Sequence, residues 1–238
     1  MLVRFAARTA LGPCLALLVS AQTPGTGRVH IKPIRTYSGA ALARPTAIVV
    51  YDFAVTPEEV KLNSGALSRV RTRVSGNEAG QKSELAQKIG NDFSRSLIEQ
   101  LSKTGLPVSH GTLGEAPPDN AIAIQGDFSE IDEGNRARRM GIGLGAGASK
   151  VEAHVECYLK GAAEKITLTE FKATSESSRK PGAAETMGAG AAPEAAATVS
   201  GATELKQGAE GDTDRMAKAV AKQIKKVFAS QGWTKESL

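Results

Sequence analysis

The chain has 238 residues and a formal net charge of +5 at pH 7, which suits one domain with flexible parts. The weak positive charge is no nucleic-acid-binding signature, and the cluster Arg69, Arg71 and Arg73 has no aromatic neighbours on which bases could stack. After the first residues, no apolar run approaches the length of a transmembrane helix.

The amino-terminal residues have the pattern of a secretory signal. Arg4 and Arg8 give a positive start, and the apolar run that follows, residues 11–19, is too short to span a bilayer. Small residues then offer a cleavage site. We predict a signal peptide at residues 1–21 and a mature chain that begins at Gln22, in the periplasm or otherwise exported.

The two cysteines bear on membrane attachment and on disulfides. Lipid anchoring at Cys14 is not expected, because Pro13 precedes it and the apolar run continues beyond it. Cleavage would remove Cys14 and leave Cys157 as the single cysteine, so no intramolecular disulfide is expected in the mature chain. Cys157 lies on the apolar side of a predicted strand, where it would be a small core residue.

The first half of the mature chain predicts a strand–helix–strand unit. Residues 22–45 are rich in proline and glycine and indicate a linker or extended arm. Residues 46–55 are nearly all apolar, which is typical of a central strand covered on both faces. An apolar stripe predicts a helix that begins at Ser83 and ends at Gly105, and residues 106–110 can form a parallel strand after it.

Three further strands follow. Residues 121–129 and 151–160 alternate apolar and polar side chains, the pattern of half-buried antiparallel strands. Residues 166–176 form the third, and its apolar side chains change face before Phe171, which indicates a β-bulge.

The end of the chain predicts a mobile insertion followed by a helix. Residues 179–211 are dominated by alanine and glycine. An amphipathic helix starts at Asp212 or Asp214, and Gly232 closes it. The predicted fold is α+β, a two-layer mixed sheet on which the carboxyl-terminal helix packs, in a single domain at residues 46–238.

The connector between the two alternating strands is the candidate binding segment. Arginine side chains bind carboxylates or phosphates in bidentate fashion, and exposed glycine backbone offers N–H groups. The candidate ligand- or partner-binding residues are Asn135, Arg136, Arg138, Arg139, Gly143, Gly145, Gly147, Ser149 and Lys150. The alternative is a structural turn in which the arginines pair with Asp132 and Glu133. The glycine spacing fits neither the dinucleotide fingerprint nor the P-loop.

Catalytic and metal-binding signatures are incomplete. Glu152, His154 and Glu156 share one strand face, but a metal site would need a further ligand from elsewhere. Asp52 ends the predicted central strand, where ligands of α/β proteins often bind, and it is equally a turn residue. We therefore predict no catalytic residue, no metal site and no cofactor.

Several motifs together resemble the bacterial family called domain of unknown function 4410. They are Val-Val-Tyr-Asp-Phe at 49–53, Ile-Gln-Gly-Asp-Phe at 124–128, Gly-Asn-Arg at 134–136, Gly-x-Gly-Ala-Gly-Ala-Ser at 143–149 and the Gly232-Trp233 ending. The likeness covers most of the chain from about Thr46 to Trp233. It implies a secreted or lipid-anchored envelope protein, and it implies no established activity.

The sequence favours an uncharacterised exported protein that is a non-enzymatic binding or assembly module. Its expected partner is another envelope protein, not nucleic acid. An alternative is a binder of anionic lipid or polysaccharide through the arginine- and glycine-rich connector. A less favoured alternative is a hydrolase that uses Asp52 or His154. The oligomeric state is left open.

Overall fold

A computed structural model describes residues 27–62, 77–135, 147–161, 164–177 and 208–234. The predicted signal peptide, residues 136–146 of the connector and residues 178–207 of the insertion lie outside the described ranges, so the predictions made for them stay predictions. No helix of the described part is long and apolar enough to cross a membrane.

The described strands form one mixed sheet of seven. They are β1 (Arg28–Thr36), β2 (Ala47–Tyr51), β3 (Val60–Lys61), β4 (Val108–Gly111), β5 (Ala121–Asp132), β6 (Lys150–Lys160) and β7 (Lys165–Glu176). The order across the sheet is β1-β7-β6-β5-β2-β4, and β3 pairs with the far end of β5. β2 is parallel to β4 and β5, whereas each neighbouring pair in the series β1, β7, β6 and β5 is antiparallel.

Two helices cover one face of this sheet and contact each other, namely α1 (Glu78–Ser102) and α2 (Ala209–Ser230). The predicted α+β fold with a packed carboxyl-terminal helix is therefore confirmed. The prediction that α1 begins at Ser83 is wrong, because Asn77 caps the helix by accepting a hydrogen bond from the Gly80 backbone N–H at 2.9 Å. Gly105, with a φ of 77°, ends the turn that follows α1.

The second helix also begins earlier than predicted. Asp212 does not cap α2; its side chain is fully buried inside the first turn of the helix. At the other end, Gly232 adopts a φ of 72° and Trp233 packs against Phe228, with ring centroids 5.8 Å apart. The Trp233 indole N–H donates to the Leu42 carbonyl at 3.2 Å, which ties the turn after the second helix to the segment between β1 and β2.

Part of the predicted linker or extended arm belongs to the sheet. Arg28–Thr36 is extended, as an arm would be, but it pairs with β7 as the edge strand β1. The partner strand supplies the backbone hydrogen bonds that the proline- and glycine-rich sequence does not predict. The paired sheet therefore begins before residue 46.

The interior of the sheet follows the apolar pattern of the sequence. β2 lies between β4 and β5, and its residues Ile48 and Val50 are fully buried, as predicted for a central strand. Beneath the sheet, Phe53, Phe93 and Phe128 form a cluster of edge-to-face contacts with centroids 4.6 to 6.0 Å apart.

The predicted bulge is present in the pairing of β6 with β7. The register shifts between Cys157 and Tyr158, which explains why the apolar side chains of β7 change face. Cys157 is fully buried, and burial raises the pKa of its thiol far above the ordinary value.

Candidate functional site

The ends of the connector are held together where it leaves β5 and enters β6. Gly134 and Gly147 have φ values of 69° and 74°, and the Asn135 backbone N–H donates to the Gly147 carbonyl at 2.9 Å. Left-handed backbone at both positions favours glycine. Residues 136–146 lie outside the described part of the chain, so the roles of Arg136, Arg138, Arg139, Gly143 and Gly145 stay predictions.

Ser149, another predicted site residue, faces the protein interior. Its side chain is buried, and its hydroxyl donates to Asp212 Oδ2 at 2.5 Å. Ser175 donates to the other carboxylate oxygen at 3.1 Å, and the Arg215 guanidinium also contacts it. Burial raises the pKa of the Asp212 carboxyl, although the bonds from Ser149, Arg215 and Ser175 act in the opposite direction. This network fixes the start of β6 to α2.

Lys150, the last predicted site residue, lies on the uncovered face of the sheet. Its ammonium donates to Glu130 at 2.7 Å and lies 3.5 Å from Glu152. The hydrogen bond from Lys150, joined by one from Lys61, lowers the pKa of the Glu130 carboxyl, and the same bond raises the pKa of Lys150. Lys150 is therefore neutralised locally and is not a free cation.

Other polar side chains on this face of the sheet also contact a partner side chain. His154 Nε2 lies 3.0 Å from Glu170, and His154 Nδ1 lies 3.5 Å from Asp127. Burial would raise the pKa of Glu156, but the Lys165 ammonium at 2.7 Å and other hydrogen bonds lower it overall. Among the described residues, no group of three or more His, Cys, Asp or Glu side chains could hold a metal ion.

A different pair of residues opens onto a cleft. Asp52 directly follows β2, and His110 lies near the end of the neighbouring parallel strand β4. His110 Nε2 is 2.6 Å from Asp52 Oδ1, and the two side chains remain 51% and 40% exposed. The pair lies at the carboxyl ends of parallel strands, the edge at which open sheets of this kind bind ligands.

Helix α1 forms the opposite wall of the cleft. Asn91, Ser94 and Arg95 line a space of about 290 Å³ together with Asp52 and His110. A second space of about 330 Å³ adjoins it and shares Asp52 and Asn91. These volumes are at the lower end of those that hold small ligands.

The cleft offers binding groups of several kinds. It presents a carboxylate, an imidazole, an amide and an exposed guanidinium within a short distance of one another. The Ser94 hydroxyl donates to the Tyr51 carbonyl at 3.4 Å, inside the protein. This arrangement can hold a polar or charged group by hydrogen bonds.

The sequence contains a signal for this cleft at the ends of the two predicted parallel strands. Asp52 follows the apolar run of the first strand, and His110 is the last residue of the second strand, predicted at residues 106–110; the prediction for Asp52 did not include His110. In a strand–helix–strand unit the two parallel strands can be neighbours, which brings the ends of both strands to one edge. Asn91, Ser94 and Arg95 follow the helical spacing of three and four residues, and nothing in the sequence shows that this side of α1 faces the cleft.

Comparison with known proteins identifies the family. The model of the family described as Domain of unknown function (DUF4410) matches residues 48–193. The chain belongs to this family. The matched segment of this DUF4410 protein includes the whole connector and both Asp52 and His110.

Two solved structures of PelC from Paraburkholderia phytofirmans, both described as dodecamers, are distantly similar. A single-substitution variant has 13% identity and a TM-score of 0.35, and the alignment covers 87% of this chain and 97% of that one. The other has 17% identity and a TM-score of 0.32, with coverages of 64% and 83%. No curated protein matches the chain.

Proposed function

We propose that this DUF4410 protein is an exported, non-enzymatic binding or assembly module of the cell envelope, and that it holds a polar group of its partner in the cleft between Asp52 and His110. The observation that carries the proposal is this histidine–carboxylate pair, which faces open space at the carboxyl edge of parallel strands. Such a pair presents a hydrogen-bond acceptor and a donor side by side.

The state of the other reactive groups favours binding over catalysis. Neighbouring lysines help to hold the pKa values of Glu130, Glu152 and Glu156 low, whereas a general acid needs a raised value. Burial keeps the Cys157 thiol protonated. The Ser94 hydroxyl points to a backbone carbonyl. None of these groups is prepared for nucleophilic attack or proton transfer.

Export to the envelope is supported by the amino-terminal sequence alone. The chain begins with a positively charged segment, a short apolar run follows, and small residues then offer a cleavage site, which is the layout of a secretory signal. An envelope protein is consequently the expected partner.

The test compares two variants that each remove one histidine–carboxylate pair. Asp52→Asn with His110→Gln alters the cleft, and Asp127→Asn with His154→Gln alters the polar sheet face. Each purified variant would be used to capture partners from envelope extract, beside the parent protein. Even a charged pair at partly exposed positions contributes only about 0 to 1 kcal/mol, so both variants should fold, and only the cleft variant should lose the partner.

Three results would contradict this proposal. Unchanged capture by the cleft variant would show that the cleft is not the binding site. If the parent turned over a substrate and Asp52→Ala abolished that turnover, the protein would be an enzyme. Salt-sensitive binding to anionic vesicles or glycan that Arg136→Ala with Arg139→Ala removes would favour the connector as the binding site instead.

A further inference from the structure

Strand β1 carries a row of basic side chains along the edge of the sheet. Arg28, His30, Lys32 and Arg35 are exposed and lie opposite residues of the polar face of β7. Successive members of the alternating part of the row are roughly 6.7 Å apart along an extended strand. Ile31, between them, packs against the core on the helix side.

Most side chains of this row make no ion pair with another described residue. Arg28, His30 and Lys32 make no ion pair with a described residue, and Arg35 approaches Glu170 only to 3.9 Å. Lys32 stands directly opposite Lys172 in the strand register. Like charges in directly opposed positions destabilise a sheet. The Lys172 ammonium has a carboxylate partner on its other side, Glu152 at 3.6 Å. Arg28, by contrast, stands opposite Glu176, so Lys32 is the member of the row whose directly opposed residue is a cation.

The outer backbone of the same strand is also free among the described residues. β1 is the last strand in the sheet order and pairs with β7 alone. Every second residue of such an edge strand directs its N–H and C=O groups outward, where a further strand can bind them. The register shift between Pro33 and Arg35 interrupts this edge, so the regular part is Arg28 to Lys32.

We propose that β1 receives an extended acidic segment of a partner protein as an additional strand. Its backbone would complete the edge hydrogen bonds, and acidic side chains at alternate positions would lie beside Arg28, His30 and Lys32. A second copy of this chain is a poor occupant, because two adjacent β1 strands would bring two cationic rows together. This surface is separate from the Asp52–His110 cleft, so either proposal can fail alone.

The first experiment measures binding of a synthetic peptide in which glutamate alternates with threonine. Arg28→Ala with Lys32→Ala should weaken binding about tenfold, as expected for the loss of two exposed ion pairs. The matched control is Lys222→Ala with Lys226→Ala, which removes the same charge from exposed positions on α2. The control should bind like the parent, and equal weakening by both variants would overturn the proposal.

The second experiment uses the unaltered protein and so does not depend on how a variant folds. The same peptide with its backbone N-methylated at alternate residues keeps the charges but cannot pair as a strand, and it should bind much more weakly. The unmodified peptide should slow amide hydrogen exchange in β1. Equal binding of both peptides, or stronger binding of an anionic polysaccharide or vesicle through the same arginine and lysine, would overturn strand addition.

Discussion

Asp212 joins three segments that are far apart in the sequence. Its buried carboxylate accepts hydrogen bonds from Ser149 at the entrance to β6 and from Ser175 near the end of β7, and it contacts Arg215 one turn later on α2. Arg215 Nε is buried without a hydrogen-bond partner among the described residues, so the guanidinium only partly offsets the cost of burying the carboxylate.

The pH dependence of stability tests this residue. Burial raises the folded-state pKa of Asp212 above its ordinary value of 3.8, so folding favours the protonated form. Its contribution to stability is full below that ordinary value and is lost as pH rises through the folded-state pKa. The free energy of unfolding of the parent, relative to Asp212→Asn, should therefore fall across this window, by at most about 1.4 kcal/mol per pH unit. Urea unfolding at several pH values measures it.

The opposite slope would contradict this expectation. If the parent gained stability over Asp212→Asn as pH rose, the contact with Arg215 would outweigh desolvation and the pKa would be lowered. Ser149→Ala is a useful companion, because it removes one hydrogen bond to the carboxylate and leaves the Arg215 contact in place.

At the scale of elements, α2 covers the sheet beside α1. Val220, Ile224 and Phe228 are fully buried between the sheet and α1. Burying each such side chain contributes about 1.5 to 3 kcal/mol, and a domain of this size is stable by only about 5 to 15 kcal/mol in total.

Removal of α2 should consequently unfold the domain. A chain that ends before Ala209 should lose its cooperative thermal transition or aggregate, as followed by circular dichroism and light scattering. A chain that lacks only residues 235–238 keeps Trp233 and should melt like the parent. A melting temperature unchanged by the longer truncation would show that α2 is not part of the core.

At the scale of the whole molecule, the domain must be exported if it is to meet an envelope partner, and export requires an amino-terminal signal. Residues 1–21 are the predicted signal peptide. β1 begins at Arg28, shortly after the predicted mature terminus at Gln22.

Mass spectrometry of protein made in a bacterial host with its own leader should find an amino terminus near Gln22. Cell fractionation should place the same species outside the cytoplasm. Retention of Met1 would contradict export by cleavage, and a diacylglycerol group on Cys14 would show a lipoprotein instead.

The sequence by itself determined most of the elements. Alternation in residues 121–129 and 151–160 predicted β5 and β6, and the apolar stripe from Leu85 predicted most of α1. A strand or helix with one buried face carries apolar residues at a fixed spacing, and a short stretch of sequence is enough to show that spacing. The motifs around Gly134 and Gly147 also led to the family that the match over residues 48–193 shows.

Only the tertiary structure decided which distant residues meet. The parallel pairing of β2 with β4 brings His110 to Asp52, and the pairing of β1 with β7 turns part of a predicted arm into a strand. Packing of α2 buries Asp212, although the sequence predicted this residue as one of two possible first residues of the helix. Each contact depends on strand order and register across many intervening residues, which local periodicity does not specify.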